Sequence, residues 1–134
     1  MKSRRRIVLA AVIVLVAIII AVFGAKSYIE ASLVKLTETS IPDVDLSKIA
    51  DGVYKGRHMV FPVEAEVRVT IENHKIVGIE LVKHFNGQGA AAEVIPDRVT
   101  EAQSLGVDIV SGATYSSKVI LKAIENSVKQ FKIN

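Results

Sequence analysis

The chain has 134 residues, half of them apolar, with 17 Lys and Arg, 14 Asp and Glu, and no cysteine. This length suits one ordinary domain, and the composition excludes disordered, collagen-like and low-complexity proteins. The lack of cysteine excludes disulfide bonds, cysteine-ligated metals, a thiol nucleophile and a lipid-modified N-terminal cysteine. Four cations, Lys2 and residues 4–6, precede an uncharged apolar stretch, and the chain after that stretch has a net charge of −1. Because the positive excess is confined to that end, nucleic-acid binding is not expected.

Residues 7–25 contain no charge. As a helix they would span about 28 Å, close to the hydrocarbon thickness of a bilayer. The excess of cations before this stretch predicts a single-pass membrane protein that contacts lipid through residues 7–25, with a cytoplasmic N-terminus and an extracytoplasmic domain. A cleaved signal peptide is the alternative, although Val22-Phe23-Gly24 matches a cleavage site poorly. Both alternatives place the domain outside the cytoplasm, and we favour the uncleaved anchor.

We divide the chain into a membrane anchor at 1–25, a stalk and linker at 26–50 and a domain at 51–134. Apolar residues recur at helical intervals up to about Glu38, which indicates that the membrane helix continues as a polar stalk. Pro42 and several turn-forming residues follow, as is typical of a linker.

Alternation of apolar and polar residues predicts a strand over Val63 to Glu72 and a second over Ile76 to Lys83, in which Val77, Ile79 and Leu81 share one face. The two strands form an antiparallel hairpin, and Val53 to Met59 is predicted as a third strand.

Two helices are predicted after the strands. The first is predicted to start with Pro96 at its first position and to stop at Gly106. The second begins near Ser116 with an apolar stripe that extends to Phe131. The fold class is therefore α+β, with a transmembrane helix followed by a small domain whose antiparallel sheet packs against two helices.

The segment Gly87-Gln88-Gly89-Ala90-Ala91-Ala92 matches a dinucleotide-binding pattern. That fold requires parallel strands joined by crossover helices, whereas the preceding strand closes a hairpin, so we interpret the glycines as a flexible turn or a ligand-binding backbone nest. The histidines, His58, His74 and His84, lack metal-ligand spacing, and no metal site or catalytic residue is predicted. His84, at a strand end facing the glycines, is a candidate ligand contact.

The strongest local signal is Asp108 to Thr114, followed by Tyr115 and Ser116 and the last helix. Small side chains at Ser111-Gly112-Ala113 allow a ligand close to the backbone, and the amides of a helix's first turn stabilise an anion such as phosphate. Ordinary helix capping by Thr114, Ser116 or Ser117 explains the same residues, and spacing alone favours that simpler interpretation.

Ser111-Gly112-Ala113-Thr114 preceded by Asp108 resembles the flavin-attachment motif of the FMN-binding domain family, which includes subunits of Rnf complexes and of sodium-translocating NADH:quinone reductases. The resemblance covers residues 51–134. It implies that Thr114 carries FMN through a phosphodiester, installed by a flavin transferase that uses FAD and magnesium. Asp108, Ser111, Gly112 and Ala113 would form the recognition loop. We further predict cofactor contacts at Tyr115, Ser116, His84, Gly87 and Gly89. The chain departs from the His-x-Glu-Thr pattern of many relatives, since Phe85-Asn86-Gly87 follows His84.

The resemblance implies an electron carrier or redox-complex subunit that exchanges electrons with membrane or extracytoplasmic partners and is not a self-sufficient enzyme. The chain has no tryptophan and few other aromatic residues, so we expect the flavin ring to be partly exposed. The alternative is an exported binding or assembly module of the same fold, with FMN bound non-covalently or absent.

Overall fold

The computed structural model describes residues 1–85 and 87–129. Phe131, the predicted end of the last apolar stripe, lies outside the described residues. The chain divides into two compact units, residues 1–32 and the chain from Leu33 onward. The first helix, α1, runs from Lys2 to Glu38 and so extends as far as the helical periodicity predicts.

The first unit consists of α1 up to Ser32, and its apolar side chains are exposed all around the helix. A helix that is apolar on every side is stable when another apolar medium surrounds it. α1 is long and apolar enough to cross a membrane, as the uncharged stretch predicts.

The second unit contains a three-stranded antiparallel sheet in the order β1-β2-β3, formed by Gly52–Val60, Val63–Glu72 and Lys75–Phe85. The predicted hairpin is confirmed. Asn73 and His74 form its two-residue turn with φ values of 51° and 60°, the positive values that a type I′ turn requires. Alternate side chains of β2 from Val63 to Ile71 are buried, as the alternation predicts.

The predicted inner face of β3 is wrong at Val77. Thr70 pairs with Gly78 whereas Ile71 pairs with Ile76, so Val77 is an extra residue in a bulge. Val77 is therefore 50% exposed, and Ile76 takes the buried position at 4%. A bulge reverses the facing of the residues beyond it, and simple alternation does not reveal one.

The helices follow the sheet. A 3-10 helix at Ala90–Val94 leads directly into α2, Ile95–Ala102, which has Pro96 in its first turn. α2 ends earlier than predicted because Gln103, and not Gly106, terminates it with a left-handed backbone at φ 52°. The Gln103 side chain then accepts a hydrogen bond from Ile76 N at 2.8 Å and donates one to Ile76 O at 2.7 Å.

The last helix, α3, spans Thr114–Lys129 and begins two residues before the predicted start. It packs against β1 and β2, while α2 packs against β3. Its buried apolar residues form the core with β2; they are Val119, Ile120, Leu121, Ala123, Ile124 and Val128. The predicted α+β architecture is confirmed.

A charged group lies between β1 and α3. Glu125 is fully buried and pairs with Lys122, at 2.5 Å, and with Lys129. His58 faces this group from β1. Burial, and then the positive charge of Lys122, lower the pKa of His58, while Glu125 opposes the shift.

We predict that protonation of His58 destabilises the fold. Because its pKa is lowered in the folded state, the unfolded chain binds the proton more tightly, and stability is lost as the pH falls through the ordinary value of 6.5. The free energy of unfolding should therefore decrease between about pH 8 and about pH 5, and decrease less in His58→Gln. Urea unfolding across this range measures both slopes, and equal slopes would contradict the prediction.

Candidate functional site

The loop at residues 108–114, called the attachment loop after the motif that it resembles, contains a tight turn that leads into α3. Ala113 N donates a hydrogen bond to Val110 O at 3.0 Å, and Gly112 has a φ of +80°. A positive φ at the third residue is what a type II turn requires, and glycine adopts it without strain. Ser111 and Gly112 are exposed, and a Cβ added at Gly112 would meet nothing within 4 Å. The backbone of this turn is therefore open to a ligand.

Thr114 is the first residue of α3. Ser117 N donates to Ala113 O at 2.9 Å, so the helical hydrogen bonds begin at Ala113. The backbone amides of the next three residues, from Thr114 to Ser116, lie in the first turn of the helix. Amides in that turn have no intrahelical acceptors, and the helix dipole is positive there. Thr114 is half-buried, and among residues 1–85 and 87–129 its hydroxyl has no hydrogen-bond partner. This end of α3 thus combines a hydroxyl with amides suited to an anion.

Ser117 joins the first turn of α3 to the turn that precedes it. Its hydroxyl accepts a hydrogen bond from Val110 N at 3.1 Å, and its side chain is fully buried. The first turn of α3 therefore holds the turn at 110–113 in place, through a residue other than Thr114.

Replacing Ser117 with alanine is expected to destabilise the fold by about 1–3 kcal/mol, because Val110 N–H would lose its acceptor. Ser127→Ala is the matched control, since the Ser127 hydroxyl is also buried but donates its hydrogen bond to Ile124 O within the same helix. Urea unfolding gives the stabilities, and hydrogen exchange at Val110 reports the turn. Equal losses in the two variants would show that Ser117 has no particular role at the turn.

Two further residues of the predicted site differ in exposure. Tyr115 is 38% exposed beside the attachment loop, whereas Ser116 is 2% exposed. Tyr115 can reach a ligand from the surface, while Ser116 contributes its backbone amide to the first turn of α3.

The glycine segment follows β3 and enters the 3-10 helix at Ala90–Val94, which packs against α3. Gly87 has a φ of +57° and is exposed, whereas Gly89 is buried. The three strands described are antiparallel, whereas a dinucleotide-binding fold has parallel strands. The packing joins the predicted glycine segment to the helix that carries Thr114.

His84 lies on the same face of the sheet as Ala65, and its side chain is 2% exposed. Its Nδ1 is 3.0 Å from Glu93 Oε1 in the 3-10 helix that follows the glycines. His74 lies in the exposed turn between β2 and β3, and its Nδ1 is 2.9 Å from Ile49 O. Within the two described ranges, no group of acidic residues and histidines could hold a metal ion.

Asp108 is exposed, and its carbonyl oxygen accepts a hydrogen bond from Arg98 Nη1 at 2.9 Å. Both residues line a surface pocket of about 590 Å3, together with Glu101 and Val107. Arg98 is absent from the sequence prediction because nothing in the pattern of α2 links it to a residue ten positions later. The pocket borders the attachment loop on the side of α2.

The sequence also matches a known protein family. Residues 62–129 match the model of the FMN-binding domain. The chain belongs to the FMN-binding domain family. The match includes all three predicted parts of the site: the glycine segment, His84 and the attachment loop.

Two relatives of this FMN-binding chain are larger proteins. An uncharacterised protein of Treponema pallidum is 31% identical over 87 residues, which cover 63% of this chain and 24% of the relative. The NADH:acrylate oxidoreductase of Vibrio harveyi is 35% identical over 65 residues, which cover 46% of this chain and 6% of that protein. The chain therefore spans a quarter or less of the length of these relatives.

The described residues fit FMN. Its phosphate is anionic, and the first-turn amides of α3 with the open backbone at Gly112 would hold that group. When bound, FMN supplies electron transfer, and the protein supplies its position and electrostatic surroundings.

Proposed function

We propose that this FMN-binding protein is a membrane-anchored electron carrier with FMN attached to Thr114 through a phosphodiester. The observation that carries the proposal is the placement of Thr114. Thr114 is half-buried at the first residue of α3, beside amides that favour a phosphate, and it is Ser117 whose hydroxyl accepts the hydrogen bond from the turn at Val110 N.

The transfer of FMN from FAD to Thr114 requires no oxidant or reductant. Thr114 Oγ1 forms a bond to the phosphorus on the flavin side of FAD, the phosphoanhydride bond breaks, AMP leaves, and the hydroxyl loses its proton. A separate flavin transferase with magnesium would catalyse this step. Asp108, Ser111, Gly112 and Ala113 would present the loop to that enzyme, and the exposure of the first three supports such recognition.

The same proposal places the domain outside the cytoplasm, with α1 in the membrane. The four cations before residue 7 support this orientation. A covalent tether would keep the cofactor on the protein where released FMN would be diluted. The similarity of this chain to part of a relative named NADH:acrylate oxidoreductase supports a role in electron transfer. Membrane or extracytoplasmic redox partners are part of the same proposal.

The test is to co-express the full chain with a flavin transferase in an exported compartment and to analyse it after denaturation. We expect a fluorescent band on a denaturing gel and an intact mass increased by FMN less one water. Flavin that is released on denaturation would favour non-covalent binding, and protein without flavin would favour a binding or assembly module. Either result would contradict the carrier with esterified FMN.

A further inference from the structure

The juxtamembrane segment, residues 33–50, packs against the FMN-binding domain. Leu36, in the last turn of α1, is 5% exposed, and Ile49 is 3% exposed; both belong to the hydrophobic core. The sequence predicts stalk and linker over these positions, yet they lie in the same compact unit as the sheet. The segment precedes residues 62–129, the part that matches the family.

Asp43 in this segment binds the chain just before the attachment loop. Its Oδ2 accepts a hydrogen bond from Ser104 Oγ at 2.7 Å, and its Oδ1 accepts one from Leu105 N at 2.9 Å. The Leu105 amide is the main cause that lowers the pKa of Asp43 below 3.8, so the carboxylate is charged at neutral pH. Leu105 is 4% exposed, so its side chain holds the chain in the core just before Asp108.

Lys118 binds the same segment from the other side of the attachment loop. Its Nζ donates a hydrogen bond to Thr39 O at 2.8 Å, just beyond the C-terminal end of α1. A cation is favourable at that end of a helix, because the last carbonyl groups are negative. The juxtamembrane segment therefore contacts the chain both before and after the attachment loop.

We propose that Asp43 is a positioning residue for flavin attachment, which fixes the attachment loop so that Thr114 meets the transferase in a reactive geometry. The proposal rests on the proposed function. Small displacements of a reacting group reduce rates strongly, so a loop released at Leu105 should be modified more slowly. The unit that accepts flavin then includes residues 33–50 and is longer than the part that matches the family.

The experiment measures the initial rate of flavin attachment to the full chain in detergent micelles, with transferase, FAD and magnesium. Asp43→Ala should react about tenfold more slowly than wild type, because both hydrogen bonds are lost. Asp43→Asn keeps an acceptor for Leu105 N and should react within about threefold of wild type. Val67→Ala is the control for general destabilisation, since Val67 is fully buried in β2. All variants are compared at a temperature at which each is folded.

Hydrogen exchange over residues 104–113 gives a second readout that needs no flavin. Exchange should increase in Asp43→Ala and stay unchanged in Val67→Ala. A wild-type rate of attachment in Asp43→Ala, or an equal loss in Val67→Ala, would overturn the positioning role. If the wild-type chain itself accepts no flavin, the proposed attachment at Thr114 is wrong, and so is the proposed positioning role in that reaction. Unchanged exchange in Asp43→Ala would overturn the positioning role alone, whether or not wild type is loaded.

Discussion

Replacing Thr114 with valine is expected to abolish the covalently bound flavin while the domain stays folded. Valine has nearly the shape of threonine but has no hydroxyl to form the ester bond. Thr114 is half-buried at the first position of α3, and among the described residues its hydroxyl bonds no other group, so the fold should lose little. In-gel fluorescence after denaturation measures the attachment, and circular dichroism measures the fold.

Two variants make this result specific. Thr114→Ser keeps a hydroxyl and should keep fluorescence, at a lower rate of attachment. Thr70→Val makes the same chemical change in β2, at a residue that pairs with Val53 of β1 and Gly78 of β3. This variant should leave fluorescence unchanged. A fluorescent band in Thr114→Val would place the attachment at another residue.

Replacing Gly56 with alanine is expected to destabilise the fold by about 3 kcal/mol or more, the upper end of the cost of overpacking. Gly56 lies in the middle of β1, where α3 crosses the strand. A Cβ at this position would lie 2.0 Å from Ala123 O and 2.6 Å from Ser127 N. Both atoms belong to the backbone of α3, so no side chain can rotate away, and the helix must move from the sheet.

Gly78→Ala is the matched control for Gly56→Ala. Gly78 lies in β3 of the same sheet, and a Cβ there would meet nothing within 4 Å. Its effect should stay within about 0.5 kcal/mol. The midpoints of thermal unfolding of the two full-length variants in detergent compare the two costs, and similar midpoints would show that α3 adapts to the added methyl group.

Alternation and helical periodicity located the three strands and the helices, although they did not reveal the bulge at Val77 or the exact ends of α2 and α3. Each side chain of β2 from Val63 to Ile71 that the alternation assigns to the core is buried, because one face of a sheet must exclude water. The sequence also located the turn into α3 and its small residues. These features depend on neighbours in the chain, and local patterns report them well.

Features that depend on distant contacts were not predictable in this way. Gly56 lies within a predicted strand, but the strand pattern does not reveal its close approach to α3. Asp43 has the pattern of a turn former, and its bonds to Ser104 and Leu105 join positions about sixty residues apart. The hydrogen bond from Arg98 to Asp108 likewise connects two elements whose packing is set by the whole core. No local pattern specifies such pairs.

The hydrogen bonds of Gln103 have a consequence for self-association. An amide side chain offers the same donor and acceptor as a peptide group, and Gln103 presents both to Ile76 at the start of β3. Unpaired groups along an outer strand are a template on which another polypeptide can add and begin to aggregate. By occupying Ile76, a single glutamine blocks such growth where β3 begins, without the need for a fourth strand.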